Sequence, residues 1–466
     1  MRFLFVHGTG VRRDGYDPLF GRVCRELLAR FPDAEMMPCY WGDDHGATLG
    51  AGGASIPGFP GLPSSLPAAS EQGYGGPVVP GPETLVSRSD GSWTLLYVDP
   101  LCELRVLAEL PVEDEGFESP GFRSPGAAVA AALAGLANGT LTGSPENPSP
   151  AGASGGTSVD GTSHDVAASA ARELSGLLVS IGLATHMRTA LRQVADSPEF
   201  DEACERAVDP ATAAELTAAT ARAVAAALLI SAGPTTPCTA DERDRVAELL
   251  ADLLGGTARG PLGRAAGVLG KLGMRMGGQY LLNRHRGALT VGLTPALGDI
   301  LRYQARGGPL RRYLTERIAA SPGPTVVIGH SLGGIALVDL LALAASRQEV
   351  PEGLRLLVTV GSQAPYLHEL GALHGLEPGA ALPNGFPEWL NIYDPNDLLG
   401  YRAGPVFPGD ARITDHEVTS RQPFPYSHSA YFGLPALYDR IATALADTPG
   451  PSPQPDGPDR ARGGAG

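Results

Sequence analysis

Residues 325–345, TVVIGHSLGGIALVDLLALAA, pass without a spacer from an apolar, β-branched run into an apolar helical pattern, with Ser331 at the joint. A strand that is apolar at nearly every position must be covered on both faces, as in a parallel sheet packed between helices. The same grammar opens the chain: strand RFLFVH (2–7), helix DPLFGRVCRELLARF (17–31) and strand EMMPCYWG (35–42) imply a parallel crossover. It returns after residue 290 with a helix into TVVIG (325–329), a helix over 332–346, strands at 354–362, 389–394 and 412–420, and a last helix at 434–447. The sequence therefore predicts an α/β fold, a mostly parallel sheet covered by helices, built from residues 1–45 and 285–448.

Between those halves the pattern changes. Residues 46–70 and 138–163 dissolve into glycine, proline and serine, which offer little apolar surface to offset the entropy of ordering, so 46–164 reads as a largely low-complexity insertion. The stretch SWTLLYVDPLCELRVLAEL (92–110) is an ordered island of uncertain type. From 165 to 284 alanine and leucine recur with a helical period, predicting a helical cap or insertion with a stop at Gly255 and Gly256. The tail 449–466 is predicted to be disordered.

A net charge of −15 opposes a nucleic-acid surface or an anionic membrane partner, and basic stretches such as RHRG (284–287) read as solvated faces. The five cysteines are scattered without CxxC spacing, which points to reduced thiols rather than a disulfide frame or a metal site. The longest apolar run, AVAAALLI (223–230), falls short of the roughly 20 residues of a membrane span, and MRFLFVHGTG lacks the pattern of a secretory signal. A cytoplasmic protein with no transmembrane segment is expected. No phosphate loop, dinucleotide fingerprint or metal-ligand cluster suggests a cofactor or a metal.

Ser331 lies in GHSLG (329–333), a G-x-S-x-G match that a chain with 62 glycines can produce by chance, as GASGG around Ser154 illustrates. Context separates the two. A nucleophile elbow needs a strand before the serine and a helix after it, with glycines admitting the strained turn; Ser331 has both flanks and Ser154 has neither. The alternative for Ser331 is a plain helix N-cap. A serine nucleophile requires an imidazole to take its proton and a carboxylate to orient that imidazole.

Of the histidines after Ser331, His416 falls within a strand, His368 and His374 lie in LHELGALHG, and His428 occupies the loop FPYSHSAYF between the last strand and the last helix, where it can reach back to the elbow. For the acid, WLNIYDPNDLLGYRA ends a strand and offers Asp394 and Asp397; Asp397 is preferred, because Asp394 precedes a proline and can cap the turn. Backbone amides of Thr9, in the loop of FVHGTG, and of Leu332 are the expected oxyanion donors, with His7, Gly8 and Gly10 shaping the loop. In WGDDHGA, Asp43, Asp44 and His45 stand either at a site edge or as loop caps.

Taken together, FVHGTG, VVIGHSLGG, WLNIYDPNDLL and YSHSAYF resemble the α/β-hydrolase superfamily, in particular its lipase-like serine esterases, over roughly residues 1–42 and 290–447. The resemblance implies cleavage of a small-molecule ester or lipid-like substrate through an acyl-enzyme on Ser331, with His428 and Asp397 completing the triad, and the 165–283 helices would form a cap whose apolar faces suit such a substrate. An acyltransferase, thioesterase or amidase would use the same residues. A non-catalytic scaffold binding a protein partner through the helical insertion is the alternative from another class. The long insertion departs from the resemblance and leaves the substrate open.

Overall fold

The computed structural model describes residues 1–49, 93, 96–109, 124–139, 161–255, 298–320 and 323–447, with the backbone alone over 161–166. Expectations for the two low-complexity tracts and the tail, and for Ser154 and Gly256, fall wholly or mainly outside those residues.

Among the described residues six strands form one sheet: β1 (Arg2–Val6), β2 (Glu35–Cys39), β3 (Thr325–His330), β4 (Leu354–Val360), β5 (Trp389–Tyr393) and β6 (Ile413–Glu417). Their order is β2-β1-β3-β4-β5-β6 and every neighbouring pair is parallel. The fold is therefore α/β, as expected. The apolar runs occupy the middle: all six residues of β3 are buried, whereas the edge strands β2 and β6 are largely half-buried or exposed. Pro38 sits in edge strand β2, where its missing N–H removes no ladder bond the sheet depends on.

Strand alternation sends successive side chains to opposite faces. Leu4, Val6, Val327 and Leu357 join one core with the helices Gly308–Ala319 and Leu332–Ser346. Phe3, Phe5, Val326 and Ile328 join another with Arg13–Arg30 and Pro435–Asp447. The helix Arg13–Arg30 starts four residues before the predicted position 17. Pro18 lies inside the helix on an exposed side, where water can bond the Asp14 carbonyl that it leaves unmatched.

Residues between β2 and β3 build a third core. It joins Cys102–Glu109 and Pro125–Asn138 with the helices from Gly161–Ser180 to Ala240–Leu253, so packing unites segments from both sides of residue 164. Local signals fix these helices: Asp209 with Thr212 and Thr239 with Glu242 form capping boxes, Pro125, Pro198 and Pro210 open first turns, and Gly255 follows the last helix with φ +85°. The 23-residue helix Pro210–Ala232 is long and apolar enough to cross a membrane, which the shorter run at 223–230 did not suggest; 72% of its apolar window is buried inside the protein.

The strand order reverses between β1 and β3, because the chain adds β2 on one side of β1 and then crosses to the other. Ligands in open α/β sheets bind at that switch, outside the carboxyl ends of the strands. The two loops that leave β1 and β3 touch there through glycine: a Cβ on Gly333 would lie 2.5 Å from the Val6 carbonyl oxygen and 2.6 Å from that of His7. Gly333→Ala is accordingly expected to lower stability to urea by about 1–3 kcal/mol or more. Gly21→Ala, at a half-buried position of Arg13–Arg30 where the nearest atom is an Arg25 nitrogen at 3.9 Å, should raise it by about 0.5–1 kcal/mol. Similar effects at the two sites would contradict this packing.

Candidate active site

Ser331 joins β3 to the helix Leu332–Ser346 with φ 49° and ψ −120°, a conformation that costs a non-glycine residue about 1–3 kcal/mol. Surrounding contacts hold it there. Its N–H donates to the Val360 carbonyl at 3.0 Å, and the Ser362 hydroxyl donates to the Ser331 carbonyl at 3.2 Å. Glycines make room on either side: a Cβ on Gly329 would come within 2.8 Å of the Gly333–Gly334 backbone, and one on Gly8 within 2.8 Å of the Ser331 Cβ. The Ser331 side chain makes no N-cap bond, so capping does not account for it. Its Oγ is buried and has no hydrogen-bond partner among the described residues.

Ninety-eight residues after His330, His428 returns to the elbow in the short helix Ser427–Ala430. His330 Nε2 lies 2.7 Å from the His428 carbonyl oxygen, and the two rings sit 4.8 Å apart. Since a carbonyl only accepts, His330 carries its proton on Nε2. Burial first, and then the neighbouring His428, lower the His330 pKa to about 3, so this donor is neutral.

His428 Nδ1 meets Asp397 Oδ2 at 2.9 Å. Asp397 Oδ2 also accepts from the Tyr431 hydroxyl at 2.8 Å, and Oδ1 from the Leu399 amide at 2.9 Å. Burial alone would raise this carboxyl, but the hydrogen bond and charge of His428, with the Leu399 and Tyr431 donors, hold it below the ordinary value. Asp394 is engaged elsewhere, by the Ser420 amide and hydroxyl, both at 2.7 Å, and by the Asn396 amide at 2.9 Å. Burial raises its pKa. With Nδ1–H given to Asp397, the lone pair of His428 is on Nε2, which is buried and unpartnered like Ser331 Oγ. Catalytic hydrogen bonds of this kind often close only around substrate.

The loop after β1 is fixed by His7. Its Nε2 accepts from the Trp41 amide at 3.1 Å, so Nδ1 carries the proton and donates to the Gly8 carbonyl at 2.8 Å. The ring also stacks on Trp41 at 4.4 Å. In a trans peptide the Gly8 C=O and the Thr9 N–H point opposite ways, so holding the carbonyl aims the Thr9 amide. Burial lowers the His7 pKa to about 3. Gly10 donates to Asp299 at 2.9 Å, and Asp299 in turn binds Arg12 and the Ala47 amide. Leu332 holds the first helical position, where an N–H has no acceptor within the helix. Gly8, one residue before the expected Thr9 donor, lies against the Ser331 Cβ, and Leu332 follows Ser331 directly.

Other sequence candidates lie elsewhere. His368 stacks on Phe407, the His374 ring is 3.3 Å from Asp339, and His416 is in β6. Asp43 accepts from the Tyr40 hydroxyl, Asp43, Asp44 and His45 form a short helix, and the His45 ring packs beside Tyr313. Among the described residues no group of three or more His, Cys, Asp or Glu could hold a metal ion. Sequence reasoning missed His330, Ser362, Tyr431 and Asp299. His330 lies inside the quoted motif and reads as a strand end; Asp299 contacts a loop 289 residues away, and no local pattern announces it. Gln363, next to Ser362, is also new: it is 7% exposed and neither amide atom has a partner among the described residues.

His7 and His330 set a pH dependence. An unfolded chain takes up their protons near pH 6.5, whereas the folded protein refuses them until about pH 3. Stability is therefore full above pH 6.5 and falls as the pH drops through that window, each histidine adding a slope of up to about 1.4 kcal/mol per pH unit. Urea unfolding between pH 7 and 5 should show a shallower slope for His7→Gln than for the wild type; equal slopes would contradict a neutral, buried His7.

Compared with protein-family models, with curated proteins and with solved structures, the chain shows no match.

Proposed function

We propose that the protein is a serine hydrolase of the α/β-hydrolase type that cleaves a carboxylic ester through an acyl-enzyme on Ser331. The observation that carries this reading is a strained, buried serine next in the chain to His330, which binds the backbone of His428, whose Nδ1 is in turn held by a buried carboxylate. A plain structural serine has no need of that backbone.

In the proposed reaction Ser331 Oγ attacks the ester carbonyl while His428 Nε2 takes its proton. Asp397 keeps the imidazole in the Nδ1–H tautomer and stabilises the imidazolium that forms. The developing oxyanion is received by the amides of Thr9 and Leu332, whose directions are fixed by His7 and by the helix start. His428 then returns the proton to the leaving alcohol, and water, activated by the same imidazole, hydrolyses the acyl-enzyme.

An apolar acyl group is the favoured substrate, on different grounds from those the sequence suggested. The helical insertion buries its apolar faces in its own core, so they do not supply the acyl site. The acid loop instead presents Leu398, 62% exposed and next to Asp397, and Tyr401, which stacks on Tyr366 of the helix Ala364–Glu369 with ring centroids 4.7 Å apart. Burial, Tyr366 and then the Asp397 charge raise the Tyr401 hydroxyl pKa. Gln363 adds a buried donor and acceptor free to meet a polar group of the substrate.

Ser331→Ala should reduce turnover of p-nitrophenyl butyrate to background, a fall of about 10⁶-fold by analogy with other triads, and Asp397→Asn by about 10⁴-fold. Activity near wild type in Ser331→Ala would overturn the proposal. With esters of increasing chain length, Leu398→Ser should raise KM for octanoate several-fold more than for acetate; a uniform change would remove Leu398 from the acyl site.

A further inference from the structure

The helical core formed by residues 93–254 includes one side chain from the sheet half, and that side chain is Tyr426, two positions before His428. Tyr426 stacks on Tyr97 with ring centroids 4.2 Å apart. Gln422, 1% exposed, lies just upstream and is fully engaged by the same unit. Its Oε1 accepts from the Tyr97 hydroxyl and from Arg243 Nη1, each at 3.0 Å, and its Nε2 donates to the Cys238 carbonyl at 2.8 Å. Arg243, wholly buried, lies over the Trp93 ring at 4.3 Å. The Ala240 amide donates to the Ser420 carbonyl at 3.2 Å, and Arg421 pairs with Asp241.

The opposite side of this strap faces the candidate site. Ser420 holds Asp394, the Ser427 hydroxyl donates to the Asn396 carbonyl at 3.0 Å, and His330 donates to the carbonyl of His428 itself. Residues 420–428 are thus clamped between the helical unit and the acid loop. The side chain that emerges from the clamp is the imidazole on Asp397.

We propose that the helical unit is a buttress for the catalytic base: Gln422 is a positioning residue that, through Tyr97, Arg243 and Cys238, holds the 420–428 strap so that His428 stays within reach of Ser331. This inference rests on the serine-hydrolase reading. It assigns to the insertion a role in setting the rate of acyl transfer without touching the substrate. Misplacing a catalytic group by about 1 Å can cost on the order of 10²-fold in rate, so a loosened strap acts on kcat and leaves substrate binding alone.

The test compares wild type, Gln422→Leu, Gln422→Glu and Tyr97→Phe for ester turnover, for the rate of labelling by a fluorophosphonate probe and for thermal unfolding. Gln422→Leu removes all three hydrogen bonds and should lower kcat and the labelling rate together by about 10- to 100-fold, with KM unchanged and a cooperative melt retained. Gln422→Glu keeps acceptors for Arg243 and Tyr97 and should recover most of that loss. Should Gln422→Leu fail to fold, Tyr97→Phe keeps the ring stack, loses one hydrogen bond and should still lower kcat several-fold at constant KM. Wild-type kcat and labelling in the folded variants would overturn the buttress. A wild-type protein that the probe does not label would instead overturn the hydrolase reading beneath it.

Discussion

The backbone of Ser331, turned to positive φ between β3 and its helix, is the constraint on which the rest of the site depends. That conformation is unfavourable for a side chain, and it persists because the loops around it leave no other path. Gly329 and Gly333 bring the helix start against β3 and against the end of β1, and the Val360 carbonyl and Ser362 hydroxyl hold the serine backbone from β4. Once the turn is fixed, its side chain stands at the switch point of the sheet, beside the loop that carries Thr9. The α/β sheet supplies rigidity; the glycines supply proximity.

How far the sequence disclosed this arrangement follows from the kind of information each feature carries. Central strands announce themselves because burial on two faces permits only apolar residues, so β1, β3 and β4 and the joint at Ser331 are legible from composition over a few positions. Asp397 and His428 are legible as ends of strands and loops, and their meeting at 2.9 Å is the geometric consequence of a parallel sheet that delivers every loop to the same edge. Separating Asp397 from Asp394 needed coordinates, since both lie in one turn and only their partners differ. Asp299 and Tyr431 were silent because what gives them their place is a contact with a distant segment, and His7 was legible as a loop residue while its tautomer was not.

The insertion shows the same limit from the other side. Helical periodicity says that a face is buried, not against what. The apolar faces that suggested a cap over an acyl chain are packed on one another, together with Cys102–Glu109 from the ordered island and Pro125–Asn138 from the region read as largely low-complexity. Their connection to the sheet half includes polar and aromatic contacts through Gln422 and Tyr426, beside the bonds of Arg22 to Glu242 and the Pro237 carbonyl. A small number of well-placed hydrogen bonds therefore ties a large helical unit to the strap that bears His428.

The central claim is that one hydroxyl, one imidazole and two amides converge on a single reacting atom. Its most direct measurement is a crystal structure of the protein after reaction with an alkyl phosphonate, which mimics the tetrahedral intermediate. The account predicts a covalent bond from Ser331 Oγ to phosphorus, with the phosphoryl oxygen about 2.7–3.1 Å from the amides of Thr9 and Leu332 and His428 Nε2 turned toward the Ser331 oxygen. An unreacted Ser331, or an adduct whose phosphoryl oxygen points away from both amides, would contradict it.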